Sequence, residues 1–157
     1  KSVDVSLGYE NGTQKIYLNG EDVSIEIRQE VIGNMTSAIA VYAPVREILV
    51  KMQQELAAKN NVVMDGRDIG TAVLPNADLK IYLTASSRTR AERRYKELVE
   101  KGQECNIDDI EKDIIDRDYR DMHREVSPLV QAEDAVLVES SDMTIEQVVE
   151  AITKLVK

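Results

Sequence analysis

Arginine is the residue type whose placement in this sequence most clearly indicates chemistry. Of the ten arginines, seven lie between positions 88 and 124. Six of these form two triplets at helical spacing, which are Arg90, Arg93 and Arg94, then Arg117, Arg120 and Arg124. Residues three or four apart share a helix face, so each triplet is predicted to present its guanidinium groups together. Because a planar guanidinium binds phosphate through paired hydrogen bonds, the triplets favour a polyphosphate site over a solvated, salt-bridged surface.

A second group with chemical potential is the run Asp65–Gly70, which reads Asp-Gly-Arg-Asp-Ile-Gly. It follows the apolar residues Val62–Met64, which are predicted to form a buried strand. Open α/β sheets bind ligands at the carboxyl ends of such strands, where Arg67 and Asp68 are expected to emerge. The alternative is a tight turn whose Arg-Asp pair faces solvent.

Composition and charge exclude several functional classes. The chain of 157 residues is 43% hydrophobic but has no Phe or Trp, which disfavours nucleic-acid modules that stack bases on aromatic side chains. Its net charge of −9 repels nucleic-acid backbones and anionic membranes. The single cysteine, Cys105, excludes an internal disulfide, so a cytoplasmic location is expected. No apolar run is long enough to span a membrane.

The first 24 residues are predicted to form a small antiparallel unit. Strand-like runs at Val3–Leu7 and Lys15–Leu18 flank Asn11-Gly12, a dipeptide typical of hairpin turns. A second such pair, Asn19-Gly20, ends the second run.

Helices and short apolar strands alternate in the remainder, which predicts an α/β fold with a parallel sheet covered by helices. The predicted strands are Val62–Met64, Leu79–Leu83 and Val136–Val138. The predicted helices are Ile27 to Ile39, Pro44 to about Lys59, Ser87 to Gly102, Asp108 to about Arg124, and a last one from Thr144.

The order and spacing of the motifs resemble those of bacterial cytidylate kinases over essentially the whole chain. The motifs are Asn19–Ser24, Val45–Glu47, Asp65–Thr71, Arg90–Arg94, Asp116–Asp118 and Ser127–Leu129. The resemblance implies a P-loop nucleoside monophosphate kinase fold that transfers the γ-phosphoryl group of ATP to CMP or dCMP with Mg²⁺. It also implies that residues 1–44 are part of the NMP-binding insertion, and residues 45–157 are the kinase core with a lid at about 88–124.

The resemblance assigns a role to each candidate residue. Ser37, Arg46 and Asp68 would read the cytosine edge, Arg67 and Arg124 would hold the CMP phosphate, and Arg117 and Asp121 would bind the ribose. Arg90, Arg93 and Arg94 would be catalytic, closing over the ATP phosphates. Asp65 would orient Mg²⁺ through water, with a structural capping role as the alternative.

One family motif is absent from these 157 residues. They contain no Gly-Lys pair and therefore no G-x-x-x-x-G-K-[ST] loop to hold the phosphates of ATP. We therefore expect the chain to correspond to the C-terminal portion of a cytidylate kinase without its P-loop unit. On its own it is expected to be inactive and to self-associate through the apolar runs 62–64 and 79–83, whereas the full-length enzyme is expected to be monomeric.

Two other functions fit the same residues. The chain could be a non-catalytic CMP-binding module, or an interaction domain in which the arginine triplets form only salt bridges. Binding of CMP without turnover favours the first, and a melting temperature unaffected by CMP favours the second.

Overall fold

The computed structural model describes residues 3–40 and 42–156, with the side chains of 30, 34 and 37 outside the described set. It divides into two compact units, Lys1–Arg46 and Glu47–Lys157.

The first unit is built on a three-stranded antiparallel sheet. Its strands are β1 (Val5–Glu10), β2 (Thr13–Leu18) and β3 (Glu21–Asp22). Both predicted Asn-Gly pairs form the turns between them, with φ of 50° and 77° at Asn11-Gly12 and of 52° and 85° at Asn19-Gly20. Two consecutive positive φ angles match the twist of flanking strands, so the predicted hairpin is confirmed.

Helices follow the sheet, with one interruption that the periodicity did not predict. A 3₁₀ turn at Glu26–Arg28 precedes α1 (Glu30–Ile39), and the extended backbone of Gln29 separates the two. The next helix, α2 (Ala43–Ala57), has Pro44 in its first turn as predicted, where the missing N–H costs nothing. The boundary between the two units falls within α2.

The second unit joins a parallel strand pair to three helices. The strands are β4 (Ile81–Thr84) and β5 (Val136–Glu139), and the helices are α3 (Ser87–Glu100), α4 (Ile107–His123) and α5 (Ile145–Thr153). Side chains of Ser86, Asn106 and Thr144 cap the three helices, and Thr144 forms the predicted capping box with Gln147. The predicted α/β class, with parallel strands alternating with helices, is confirmed.

Two features of the predicted sheet are wrong. Residues 62–64 form no strand, because no ladder pairs with this run among the described residues. The side chain of Val63 is fully exposed. The sheet is also not covered on both faces, since Leu83 and Leu137 are 54% and 55% exposed. The buried apolar core is therefore small. It consists of Val73, Ala85, Ala91, Leu98 and Val138.

Candidate functional site

Asp121 lies at the centre of a cluster of charged side chains in the second unit. Its carboxylate accepts a hydrogen bond from Arg67 Nε at 3.1 Å, and Arg117 Nε lies 3.8 Å from the same oxygen. Arg124 Nη1 lies 4.0 Å from the other carboxylate oxygen. The Asp121 side chain is only 7% exposed, so one buried carboxylate faces three guanidinium groups.

Arg124 connects this cluster to Asp68. Its Nη2 lies 3.7 Å from Asp68 Oδ1, and both side chains are 9% exposed. Its Nε donates to the carbonyl of Ser127 at 2.6 Å, which fixes the plane of the guanidinium. Three guanidinium groups are thus held close to two carboxylates. We call Arg67, Asp68, Arg117, Asp121 and Arg124 the Asp121 cluster.

Two donor atoms in the Asp121 cluster are buried without a hydrogen bond. They are Arg117 Nε and Arg124 Nη2. A buried donor that makes no hydrogen bond loses its hydration without compensation, at a cost of about 1–3 kcal/mol. An anionic ligand with several oxygens would supply the acceptors that these atoms lack.

Helix α4 and the segment around the π-helical turn at 69–73 carry the residues of the Asp121 cluster. Arg117 and Asp121 lie one turn apart on α4, and Arg124 is the extended residue that directly follows the helix. Asp68 begins a π-helical turn at 69–73, and its carbonyl accepts the N–H groups of Ala72 at 2.9 Å and of residues 71 and 73 at 3.3 Å. The turn therefore fixes the backbone that carries the neighbouring Arg67.

The first arginine triplet is arranged differently from its prediction. The guanidinium of Arg90 makes two hydrogen bonds to the Asp118 carboxylate on α4, and its Nε donates to the Ala85 carbonyl at 3.1 Å. Arg93 donates to the carbonyls of Ser140 and Met143 after β5. The spacing places the three Cα atoms on one side of α3, but each long side chain extends to a different partner.

Arg94 stays on its own helix, where its Nη1 lies 2.8 Å from Glu97 Oε2. Hydrogen bonds from Lys101 and Arg94 hold the pKa of Glu97 below its usual range. Both side chains are partly exposed, so this contact is a surface ion pair of small energy.

A small cleft adjoins Arg93. It has a volume of about 180 Å³. Its walls are Leu83, Arg93, Ser140, Met143, Ile145, Val148 and Val149. The walls are mostly aliphatic, with the Arg93 guanidinium and Ser140 as the polar groups. Arg93 is thus the member of the first triplet that borders a concave surface.

The other candidate residues are on α1, on α2 and in the loop before the π-helical turn. Ser37 is in α1, with its side chain outside the described set, and Arg46 is in α2. Asp65 is exposed in the loop before the turn, and the described residues contain no group of three side chains suited to ligate a metal.

Two residues that shape the site were missed by the sequence reasoning. Asp118 pairs with Arg90, and Lys80 is a buried lysine beside the turn that carries Asp68. Lys80 has a visible signal, because it is a lysine between Leu79 and Ile81 in an apolar run. Asp118 belongs to the Asp116–Asp118 motif, but nothing in the sequence singles it out as the partner of Arg90, since acidic residues are frequent throughout α4.

Comparison with known proteins identifies the family. The family model described as Cytidylate kinase matches residues 1–157. The chain belongs to the cytidylate kinase family. The resemblance drawn from its motifs is therefore confirmed.

Curated cytidylate kinases agree over most of the chain. That of Lactobacillus johnsonii is 48% identical over 148 residues, covering 94% of this chain and 64% of the relative. That of Cupriavidus pinatubonensis is 50% identical over 138 residues, covering 88% and 62%, and that of Streptococcus pneumoniae is 51% identical over 143 residues, covering 91% and 64%. The chain thus spans slightly less than two thirds of the length of these cytidylate kinases.

In the part of the chain that the structure describes, no helix is long and apolar enough to cross a membrane.

Proposed function

We propose that the Asp121 cluster of this cytidylate kinase chain binds CMP or dCMP, and that the full-length enzyme transfers a phosphoryl group to it from ATP. The observation that carries the proposal is the arrangement of Arg67, Arg117 and Arg124 around one buried carboxylate, with two donors lacking acceptors. The cluster holds three guanidinium groups and two carboxylates, so its net charge is positive. A bound nucleotide phosphate would make that net charge negative.

Arg67 and Arg124 are the proposed ligands of the CMP phosphate. Arg67 is 39% exposed, so a ligand can reach it, while Arg124 contributes a buried and oriented guanidinium. A hydrogen bond between charged groups is worth about 1.5–3 kcal/mol. Arg117 and Asp121, one helical turn apart, are proposed to bind the ribose.

Asp68 is the proposed reader of the base. Its carboxylate accepts hydrogen bonds, as the cytosine amino group requires, whereas uracil presents a carbonyl at the same position. A site that depends on such hydrogen bonds can reject the wrong base by a factor on the order of 10⁴. The resemblance adds Arg46 and Ser37 as donors to the remaining cytosine atoms. We therefore expect CMP to bind more tightly than UMP.

Arg90, Arg93 and Arg94 are the proposed ligands of the ATP phosphates. Each would have to exchange a protein partner for phosphate, namely Asp118, the Ser140 carbonyl or Glu97. Phosphoryl transfer requires such positioned positive charge rather than a protein nucleophile. Mg²⁺ supplies further neutralisation of the phosphates when bound, and Asp65 is the residue proposed to hold it through water.

The 157-residue chain by itself is proposed to bind CMP without phosphorylating it. Its sequence lacks the Gly-Lys element that holds and neutralises the phosphates of ATP. The absence of ADP release in a coupled assay with saturating ATP and CMP is the expected result. Turnover by this chain would contradict it.

The purely structural alternative is favoured by one observation, the many ion pairs between α3 and α4. Arg88 bonds both Asp108 and Glu111, and Arg90 bonds Asp118. These pairs explain part of the arginine content without any ligand. They leave the Asp121 cluster unexplained, because two of its buried donor atoms make no hydrogen bond.

Calorimetry with the 157-residue chain tests the proposal. We expect CMP to bind, UMP to bind at least tenfold more weakly, and Arg67→Ala to weaken CMP binding by about 10- to 100-fold. Arg120 was predicted to join the phosphate site with Arg117 and Arg124, but it lies exposed on α4 and donates to the Asp116 carbonyl of its own helix, outside the Asp121 cluster. Arg120→Ala is therefore the matched control. Equal affinities for CMP and UMP, or equal effects of the two substitutions, would contradict the assignment.

A further inference from the structure

Lys80 is a buried cation that no step of the proposed function uses. Its side chain is 7% exposed, and its ammonium group contacts both carboxylate oxygens of Asp134, at 2.8 and 2.9 Å. The same group donates to the Pro75 carbonyl. A lysine ammonium is strongly hydrated, so burying it is costly unless its partners are well placed. The Lys80 ammonium group therefore bonds two segments of the chain, at Pro75 and at Asp134.

The aliphatic part of Lys80 supports the turn that carries Asp68. A Cβ atom added at Gly70 would lie 3.4 Å from Lys80 Cδ and 3.6 Å from its Cγ. Gly70 is two residues after Asp68, and Pro75 follows directly after the turn. Lys80 therefore lies beside Gly70, close enough that a side chain there would touch it, and it donates a hydrogen bond to the same segment at Pro75.

Hydrogen bonds within the π-helical turn connect the residues beside Lys80 to Asp68 of the Asp121 cluster. The Asp68 carbonyl accepts three N–H groups from residues 71–73, and Leu74 N donates to the Ile69 carbonyl at 2.7 Å. Gln54 Nε2 donates a hydrogen bond to the Val73 carbonyl at 3.0 Å. These hydrogen bonds join Asp68 to the residues just before Pro75 in one continuous segment. Displacement at Pro75 would therefore move the Asp68 carboxylate relative to Arg124.

We propose that Lys80, held by Asp134, is a positioning residue for nucleotide recognition, which keeps Asp68 in register with Arg124. The inference rests on the proposed function, because it takes Asp68 to be the reader of the base. Lys80 touches neither the nucleotide nor the phosphates. Its loss should reduce discrimination between bases more than it reduces binding of phosphate.

The test compares CMP and UMP affinities of Lys80→Met and Asp134→Ala in the 157-residue chain. Methionine keeps the aliphatic contact with Gly70 and removes the tether to Pro75. Asp134 is 64% exposed, so its alanine variant is expected to fold even if the lysine variant does not. We expect both variants to raise the CMP dissociation constant about tenfold and to reduce the ratio of UMP to CMP dissociation constants by a similar factor.

Lys101→Met is the matched control. Lys101 also pairs with a carboxylate, Glu97, at 2.6 Å, but on the exposed face of α3. It should leave both dissociation constants unchanged. A purely structural role of Lys80 would lower the melting temperature without altering the ratio of the two dissociation constants.

The outcomes separate this inference from the proposed function. If the unsubstituted chain does not bind CMP, the proposed function fails and the inference with it. If the unsubstituted chain binds CMP and discriminates against UMP, an unchanged ratio in the folded variants overturns the role of Lys80 alone.

Discussion

Asp121 is the residue on which the charge balance of the candidate site depends. It provides one of two carboxylates that face Arg67, Arg117 and Arg124, and it is the one shared by all three. Removing a buried carboxylate from such a network leaves cations facing each other in a medium that screens them poorly.

Asp121→Asn is therefore expected to lower the free energy of unfolding by about 3–5 kcal/mol, measured by urea denaturation. Because an added anion can replace the lost carboxylate, millimolar phosphate should recover part of this loss. Asp116→Asn, an exposed change on the same helix, should do neither. A phosphate-independent loss in the Asp121 variant would show that the three arginines do not form an anion site.

Single residues also show where sequence reasoning succeeds and where it stops. Helical spacing predicted Arg117, Arg120 and Arg124 on one face, but only Arg117 and Arg124 border Asp121, while Arg120 is exposed and bonds its own helix. The partners of Arg90 and Arg93 could not be predicted, since they come from α4 and from the loop after β5. A long side chain pairs with whatever acceptor tertiary packing brings within reach, and spacing along its own helix does not contain that information.

Turns and helix caps were the elements that the sequence predicted best. The Asn-Gly turns and the Thr144 capping box depend on the backbone preferences of two to four neighbouring residues, which the sequence states directly. The strand predicted at 62–64 is absent, because a strand depends on a partner that can be distant in the sequence. A strand exists only with a partner in a ladder, and apolar character alone does not supply one.

Asp22, in β3, makes the stability of the three-stranded antiparallel sheet dependent on pH. Its carboxylate accepts hydrogen bonds from Lys15 Nζ and from the hydroxyl and N–H of Ser24, which hold the pKa of Asp22 well below its usual range. A depressed pKa stabilises the folded form above the ordinary pKa of about 3.9. That contribution is lost as the pH falls through the lower, folded-state value.

Asp22→Asn should accordingly make the β1–β3 sheet unfold at lower urea concentration at pH 7, as followed by amide resonances of Ile16 and Ser24. The difference from the unsubstituted chain should narrow progressively below about pH 4. Glu21→Gln, an exposed change at the preceding residue, serves as the control. A difference that persists unchanged at the lowest pH would exclude the carboxylate as its source.

The capping box at the start of α5 gives a second prediction for an element. Thr144 accepts the Gln147 N–H at 3.3 Å, and the Gln147 side chain accepts the Thr144 N–H at 2.8 Å. Thr144→Ala removes one of these bonds and should lower the free energy of unfolding by about 1 kcal/mol. Thr153→Ala, near the other end of α5, should cost less than about 0.5 kcal/mol. Equal losses would mean that the cap does not stabilise the helix.

Viewed as a whole, the 157-residue chain combines a small core with a large exposed apolar surface. Leu83 and Leu137 occupy adjacent register positions on neighbouring strands, so they project from opposite faces of the β4–β5 pair. Both faces of the sheet therefore expose a leucine, and each strand has one edge without a ladder partner among the described residues. Such edges and faces promote pairing between copies, while the net charge of −9 opposes it.

The balance between these two effects predicts self-association that strengthens with salt. Light scattering of the 157-residue chain should give a mass above 17.6 kDa that rises with protein concentration. It should rise further from 0.1 to 1 M salt, as the screening length falls from about 10 to about 3 Å. Leu137→Lys adds a charge to the exposed sheet face and should shift the chain toward monomer. Val99→Lys, which adds the same charge at a 50% exposed position on α3, should shift it much less. A monomeric mass at all salt concentrations, or equal effects of the two lysines, would mean that the exposed sheet is not the surface through which copies associate.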